Sequence, residues 1–246
     1  MNGGKLYESE FEQALVDMLQ QEGWSYTSGD GLHRKVTEAL LEDDLRDFLT
    51  AKYVSTGRLP ADDLSAVIAN IRNVGGATDY HSFCNAVRLY QNGCDVTPSN
   101  GLPPFHLHYI DFEHPEENIF RVVNQFDMVQ GTAHRIPDVL LFVNGIPLCI
   151  MELKNPTDEN ATLYTAHTQI TVRYRRDIPE LLKYCAVACI SDAGRSRIGT
   201  ITSPFEYFYA WKKVENEDEA GQGLHELETL VQGALSPARL LEIVRD

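Results

Sequence analysis

The spacing of apolar and polar positions divides the chain into a helical first part and a strand-rich second part. In "YESEFEQALVDMLQQEGW", Phe11, Ala14, Leu15, Met18 and Leu19 recur at three- and four-residue intervals, which predicts a helix that Gly23 stops. The same period runs through "TEALLEDDLRDFLTAKY", "PADDLSAVIANIRN" and "YHSFCNAVRLYQ", the second opening on Pro60 in the favoured first-turn position. A turn-rich stretch, "VTPSNGLPP" (96–104), follows. The period then falls to two. "FHLHYIDF" (105–112) and "IFRVVNQFDMV" (119–129) alternate and are rich in aromatic and β-branched residues. A hairpin over 137–154 turns at Asn144-Gly145, a helix is predicted over about 158–175, and "CAVACIS" (185–191) reads as a buried strand. "RIGTITS" and "FYAWKKV" suggest two further short strands, and "LHELETLVQGAL" and "PARLLEIVRD" two closing helices. This order predicts an α/β protein with a mixed β-sheet flanked by helices. The core is expected at about 5–24 and 105–215, with a helical insertion at about 38–100 and C-terminal helices at about 222–246, all in one domain.

Composition narrows the class. A hydrophobic fraction of 43% in 246 residues supports a large core. No apolar run approaches the roughly 18 residues of a membrane span, and the N-terminus lacks signal-peptide architecture, so a cytoplasmic location is expected. Five cysteines, odd in number and without a C-x-x-C pair, read as reduced and structural. The net charge of −15, from 21 basic and 36 acidic residues, argues against unaided gripping of nucleic acid. The densest basic cluster is "RYRR" (173–176), followed by Lys183; a solvated helix end explains it equally well.

The hairpin carries charge that a core hairpin does not need. Glu152 and Lys154 are two apart and project from one strand face. Asp138, at the start of the first strand, joins them only in certain registers. A bare two-residue turn would place it opposite Met151, on the other face. A three-residue loop over Val143-Asn144-Gly145, or a bulge with the same effect, would place it beside Glu152. Two carboxylates about 4 Å apart repel by on the order of 4 kcal/mol at an effective dielectric of 20, so positive charge must offset them. Lys154 supplies one charge and a divalent, oxygen-preferring cation would supply more. Such a set suits phosphodiester hydrolysis. On the first helix, Glu8 and Glu12 share one flank of the apolar stripe and either could reach a site at the core's edge.

"PDVLLFVNGIPLCIMELKNP" resembles the PD-(D/E)XK nuclease signature in the form found in the restriction (R) subunit of type I restriction-modification enzymes. Asp138 matches its aspartate and Glu152-Leu153-Lys154 its E-x-K. The similarity extends to "FEQALVDMLQQEGW", "FRVVNQF", "RYRRDIPELLKY" and "ISDAGRSRIGTITSPFEYFYAWK", about two thirds of the chain. The resemblance implies a restriction-endonuclease-like core that cleaves double-stranded DNA. Asp138, Glu152 and Lys154 would be catalytic. Asp138, Glu152 and Glu12 (Glu8 in reserve) would hold Mg²⁺, or Mn²⁺ in its place. Gln169, Arg173 and Arg176 would contact DNA. The implied partners are an ATP-driven motor, expected beyond this segment, and the modification and specificity subunits, with no membrane. In this family the helix after the motif often carries Gln and Tyr four apart. Here Gln169 and Tyr174 are five apart, which on an α-helix separates them by about 140°. The alternatives are a stand-alone or repair nuclease, favoured by a basic cleft and activity without ATP, and a silent module that only docks partner subunits.

Overall fold

The computed structural model describes residues 3–155, 162–192, 194–214 and 224–246, with side chains absent from the description at 3–8 and 224. Helix α1 (Gly3–Gln21) ends where Gly23 takes φ 103°. Strand β1 (Ser25–Ser28) follows; its four polar or aromatic residues carry no alternation that would announce it. Helices α2 (Glu42–Leu49), α3 (Leu64–Arg72) and α4 (Asp79–Asn92) fill the stretch where a helical insertion is expected. They do not hang off the fold: Leu45, Phe48, Ile68, Ile71 and Tyr90 share one hydrophobic cluster with Phe11, Leu15 and Leu19 of α1.

Strands β2 (Cys94–Val96) and β3 (Phe105–Leu107) make a separate two-stranded ribbon. The strand expected over 105–112 therefore stops early and stays outside the main sheet. Its later N–H groups have other partners: Tyr53 Oη accepts from His108 N and Asn118 Oδ1 from Asp111 N. Strand β4 (Phe120–Asn124) ends where Gln125 takes φ 50°. The second half of that predicted strand lies in another ribbon, β5 (Met128–Gln130) with β6 (Ala133–Arg135). Next come β7 (Val139–Val143), β8 (Ile146–Leu153), α5 (Leu163–Thr168), α6 (Arg175–Asp177), α7 (Pro179–Leu182), β9 (Val187–Ser191) and β10 (Ser196–Gly199). Helices α8 (Leu224–Leu230) and α9 (Pro237–Arg245) close the chain. "FYAWKKV" contributes a single bridge, Ile198 to Tyr209, and no strand; Phe208 N is drawn back to Phe205 O in a tight turn.

The main sheet is mixed, as expected, with order β1-β4-β7-β8-β9-β10. β1 runs parallel to β4 and β8 parallel to β9, while the other neighbours are antiparallel. Alternation along β7 sorts the core. Val139 and Leu141 face the α1 cluster, whereas Leu140 joins Ile150, Leu163, Ala166 and Ile170 on the other face.

The β7–β8 turn has only two residues, Asn144 (φ 49°) and Gly145 (φ 76°), with Val143 opposite Ile146. The three-residue loop does not form. The bulge does: Phe142 pairs with Pro147 but Leu141 with Cys149, so Leu148 is extra. Pro147 has no N–H to give a regular ladder, which makes this a natural place to break one. From the bulge onward the register is Leu140 to Ile150 and Val139 to Met151, which brings Asp138 level with Glu152. The turn itself is buried. Asn144 accepts from Ile119 N (2.7 Å) and donates to Tyr109 O (3.0 Å) and Asn118 Oδ1 (2.8 Å). A Cβ on Gly145 would lie 2.0 Å from Leu41 O.

Candidate active site

Glu152 is 1% exposed and reaches the end of β8 with Lys154 just beyond it. Lys154 Nζ donates to Glu152 Oε1 at 2.7 Å and to Gln169 Oε1 at 3.1 Å. Gln169 Nε2 donates to Tyr174 Oη at 2.7 Å, and Tyr174 Oη to Glu152 Oε2 at 3.2 Å. The four side chains thus close a ring of hydrogen bonds. The placement of Tyr174 corrects the sequence reading. Gln169–Tyr174 is π-helical, and an i→i+5 ring stacks residues five apart over one another. The extra residue is absorbed by local widening of the helix, and Gln169 and Tyr174 meet. Of the helix expected over 158–175, residues 158–161 lie outside the described residues; α5 is capped by Thr162, whose side chain accepts from Thr165 N.

Asp138 faces the same cluster. Its Oδ2 accepts from Leu153 N at 2.8 Å. Burial, then the neighbouring charge of Glu152, hold the Asp138 carboxyl well above the usual carboxylate range. Burial likewise raises Glu152, against the pull of Lys154. Tyr174 is raised by burial and by Glu152. One lysine does not neutralise this pair.

Glu12 approaches from α1. Its Oε1 accepts from Asn124 Nδ2 at 2.7 Å and its Oε2 from Gln125 Nε2 at 2.5 Å. It is near enough to add a small charge effect at Asp138. Yet among the described residues no three His, Cys, Asp or Glu side chains are grouped to hold a metal ion. Glu12 therefore stands beside the Asp138–Glu152 pair and not within a three-acid cluster. The Glu8 side chain lies outside the described residues. The oxygen-only donors and the crowding that drives two acids up fit a hard divalent cation at Asp138 and Glu152, since such a cation favours their ionised forms.

The predicted basic positions separate. Arg173 is exposed and makes no ion pair among the described residues. Arg176 is exposed but paired with Asp177 at 2.6 Å, which Arg135 also engages. Lys183 does not extend the basic cluster: it is buried, donating to Arg72 O, Val74 O and Glu180 Oε2. Sequence reasoning missed Asn124 and Gln125. Their one signal was an Asn-Gln pair closing the alternating run "FRVV".

A family model described as the N terminus of the type I restriction enzyme R protein matches residues 5–207. The type I restriction enzyme HindI endonuclease subunit of Haemophilus influenzae is 29% identical over 98% of this chain and 24% of its own length. A Methanocaldococcus jannaschii protein provisionally named the MjaIXP endonuclease subunit is 26% identical over 96% of this chain and 25% of its own. The chain spans about a quarter of the length of these relatives. With a match over most of its residues, the chain belongs to the family of type I restriction enzyme R protein N termini.

Proposed function

We propose that this chain is the endonuclease domain of a type I restriction enzyme, hydrolysing phosphodiester bonds of double-stranded DNA with Mg²⁺ in a PD-(D/E)XK-type core. The observation that carries the reading is the bulge at Leu148, which places Asp138 level with Glu152 and so beside Lys154. A hairpin serving only the core gains nothing from turning three ionisable groups onto one face.

Asp138 and Glu152 would hold the cation, with Glu12 beside them. When bound, Mg²⁺ polarises the scissile phosphate and acidifies the attacking water. Lys154 donates toward the charge that develops on the phosphate. Two of its three ammonium protons are committed to Glu152 and Gln169, which fixes the aim of the third. Gln169 and Tyr174 hold Lys154 and Glu152 in place. Exposed Arg173 and Arg176 are the candidate contacts to the DNA backbone. In the longer protein an ATP-driven motor and the modification and specificity subunits would deliver the DNA, which suits a domain with net charge −15.

In the full R protein assembled with its partners, Asp138→Ala or Lys154→Ala abolishes DNA cleavage, a loss of at least about 100-fold. ATP-driven translocation survives. Cutting by either variant at near the parent rate overturns the assignment.

A further inference from the structure

Gln125 sits where its residue type is least at home. Among the described residues only two non-glycine residues have positive φ, Gln125 at 50° and Asn144 at 49°. Asparagine enters this region readily; glutamine does so less, at a cost of about 1 kcal/mol. The conformation is built in from outside as well. A Cβ on Gly29 would lie 2.1 Å from Gln125 O and 2.8 Å from Asn124 O, so glycine there leaves room for this backbone. What glutamine supplies is reach. Its Nε2 donates to Glu12 Oε2 at 2.5 Å, while its backbone N–H donates to Asp138 O at 2.8 Å. One residue therefore ties the acid of α1 to the backbone of the acid that precedes β7. Asn124 completes the hold. Tyr26 Oη donates to its Oδ1 at 3.0 Å, which turns its Nδ2 toward Glu12 Oε1 at 2.7 Å.

We infer that Asn124 and Gln125 form a two-amide cradle that sets Glu12 against Asp138, and that Gln125 is a positioning residue for the divalent cation. The inference rests on the metal-dependent reading above. Neighbours of this kind, which orient a ligand without touching the metal, typically govern 10–100-fold in affinity. A purely structural Gln125 would only finish β4. In that case its side chain could be removed without consequence for the cation.

The test is calorimetric titration of Mn²⁺ into the 246-residue chain and into Gln125→Gly, Glu12→Ala, the double variant and Glu152→Ala. Glycine keeps the φ 50° backbone and removes the whole side chain, the carboxamide with its two methylenes. Gln125→Gly is expected to weaken Mn²⁺ binding about tenfold with an unchanged or higher melting temperature. In the Glu12→Ala background it is expected to change nothing further. The inference is overturned alone if Glu152→Ala abolishes binding but Gln125→Gly leaves it equal or tighter. It is also overturned alone if the loss persists without Glu12, or if it comes with a fall in melting temperature. Binding that survives Glu152→Ala, or none in the parent chain, overturns the metal-dependent reading and this inference together.

Discussion

Glu152 is an acid buried at the end of a strand, and Asp138, level with it, is driven upward by the same burial and by Glu152 itself. Each carboxyl is harder to ionise folded than unfolded, so near neutral pH the unfolded chain has released more of its protons. Without metal, this pair's contribution to stability is greatest below the ordinary carboxylate range. It falls as pH rises through the elevated folded values. Asp138→Asn or Glu152→Gln, which cannot ionise, should raise the melting temperature of the metal-free chain at neutral pH by on the order of 3 °C while destroying cleavage. At low pH, where the parent acids are already neutral, the gain should vanish. Thermal melts at several pH values check this; variants that melt below the parent at neutral pH would mean the pair is not strained. Asp138 and Lys154 were legible as residue types at a motif spacing. Gln125 was not, because a left-handed backbone is a property of packing against Gly29, far away in sequence.

Two elements work by being irregular. The bulge in β8 and the π-turn after α5 each insert one residue, and each brings together a pair that ideal geometry would separate. The bulge was legible only as a requirement: a shared site demanded either a three-residue loop or a bulge, and it is the structure that shows the bulge, next to Pro147. The π-turn was not, since a helical wheel assumes the period that this segment abandons. Its origin as an inserted residue is testable. Deleting exposed Val172 leaves Gln169 and Tyr174 four apart, which an ordinary α-helix places on one face. That deletion should cost about 1 kcal/mol or less and keep cleavage by the assembled enzyme within a few-fold of the parent. Deleting buried Ile170 also makes the spacing four but empties a core position, and should cost about 2–5 kcal/mol. Equal damage from both deletions in a denaturant titration would count against the insertion view.

Across the molecule, the helices of 38–100 were legible as helices but not as part of the core, because amphipathic stripes do not name what they pack against. "FYAWKKV" failed for a related reason: strand-like composition needs a partner edge, and only Tyr209 finds one. If Asp138 and Glu152 hold Mg²⁺, the cation binds the folded chain alone, and at 100 times its dissociation constant it should add about 2.7 kcal/mol to stability. Melts with and without Mg²⁺ should show this in the parent and not in Glu152→Ala. One more consequence comes from the hairpin turn. Asparagine followed by glycine is the sequence most prone to cyclise through its own backbone and lose its amide, a slow chemical ageing of the chain. In the native fold Asn144 is 0% exposed and its amide donates to two neighbours, so the clock is stopped. It runs only while the chain is unfolded. An isoaspartate formed then would lengthen the backbone at the turn of the hairpin that carries Asp138 and Glu152, and every delay in folding would leave a permanent mark on the fraction of chains in which those two acids meet.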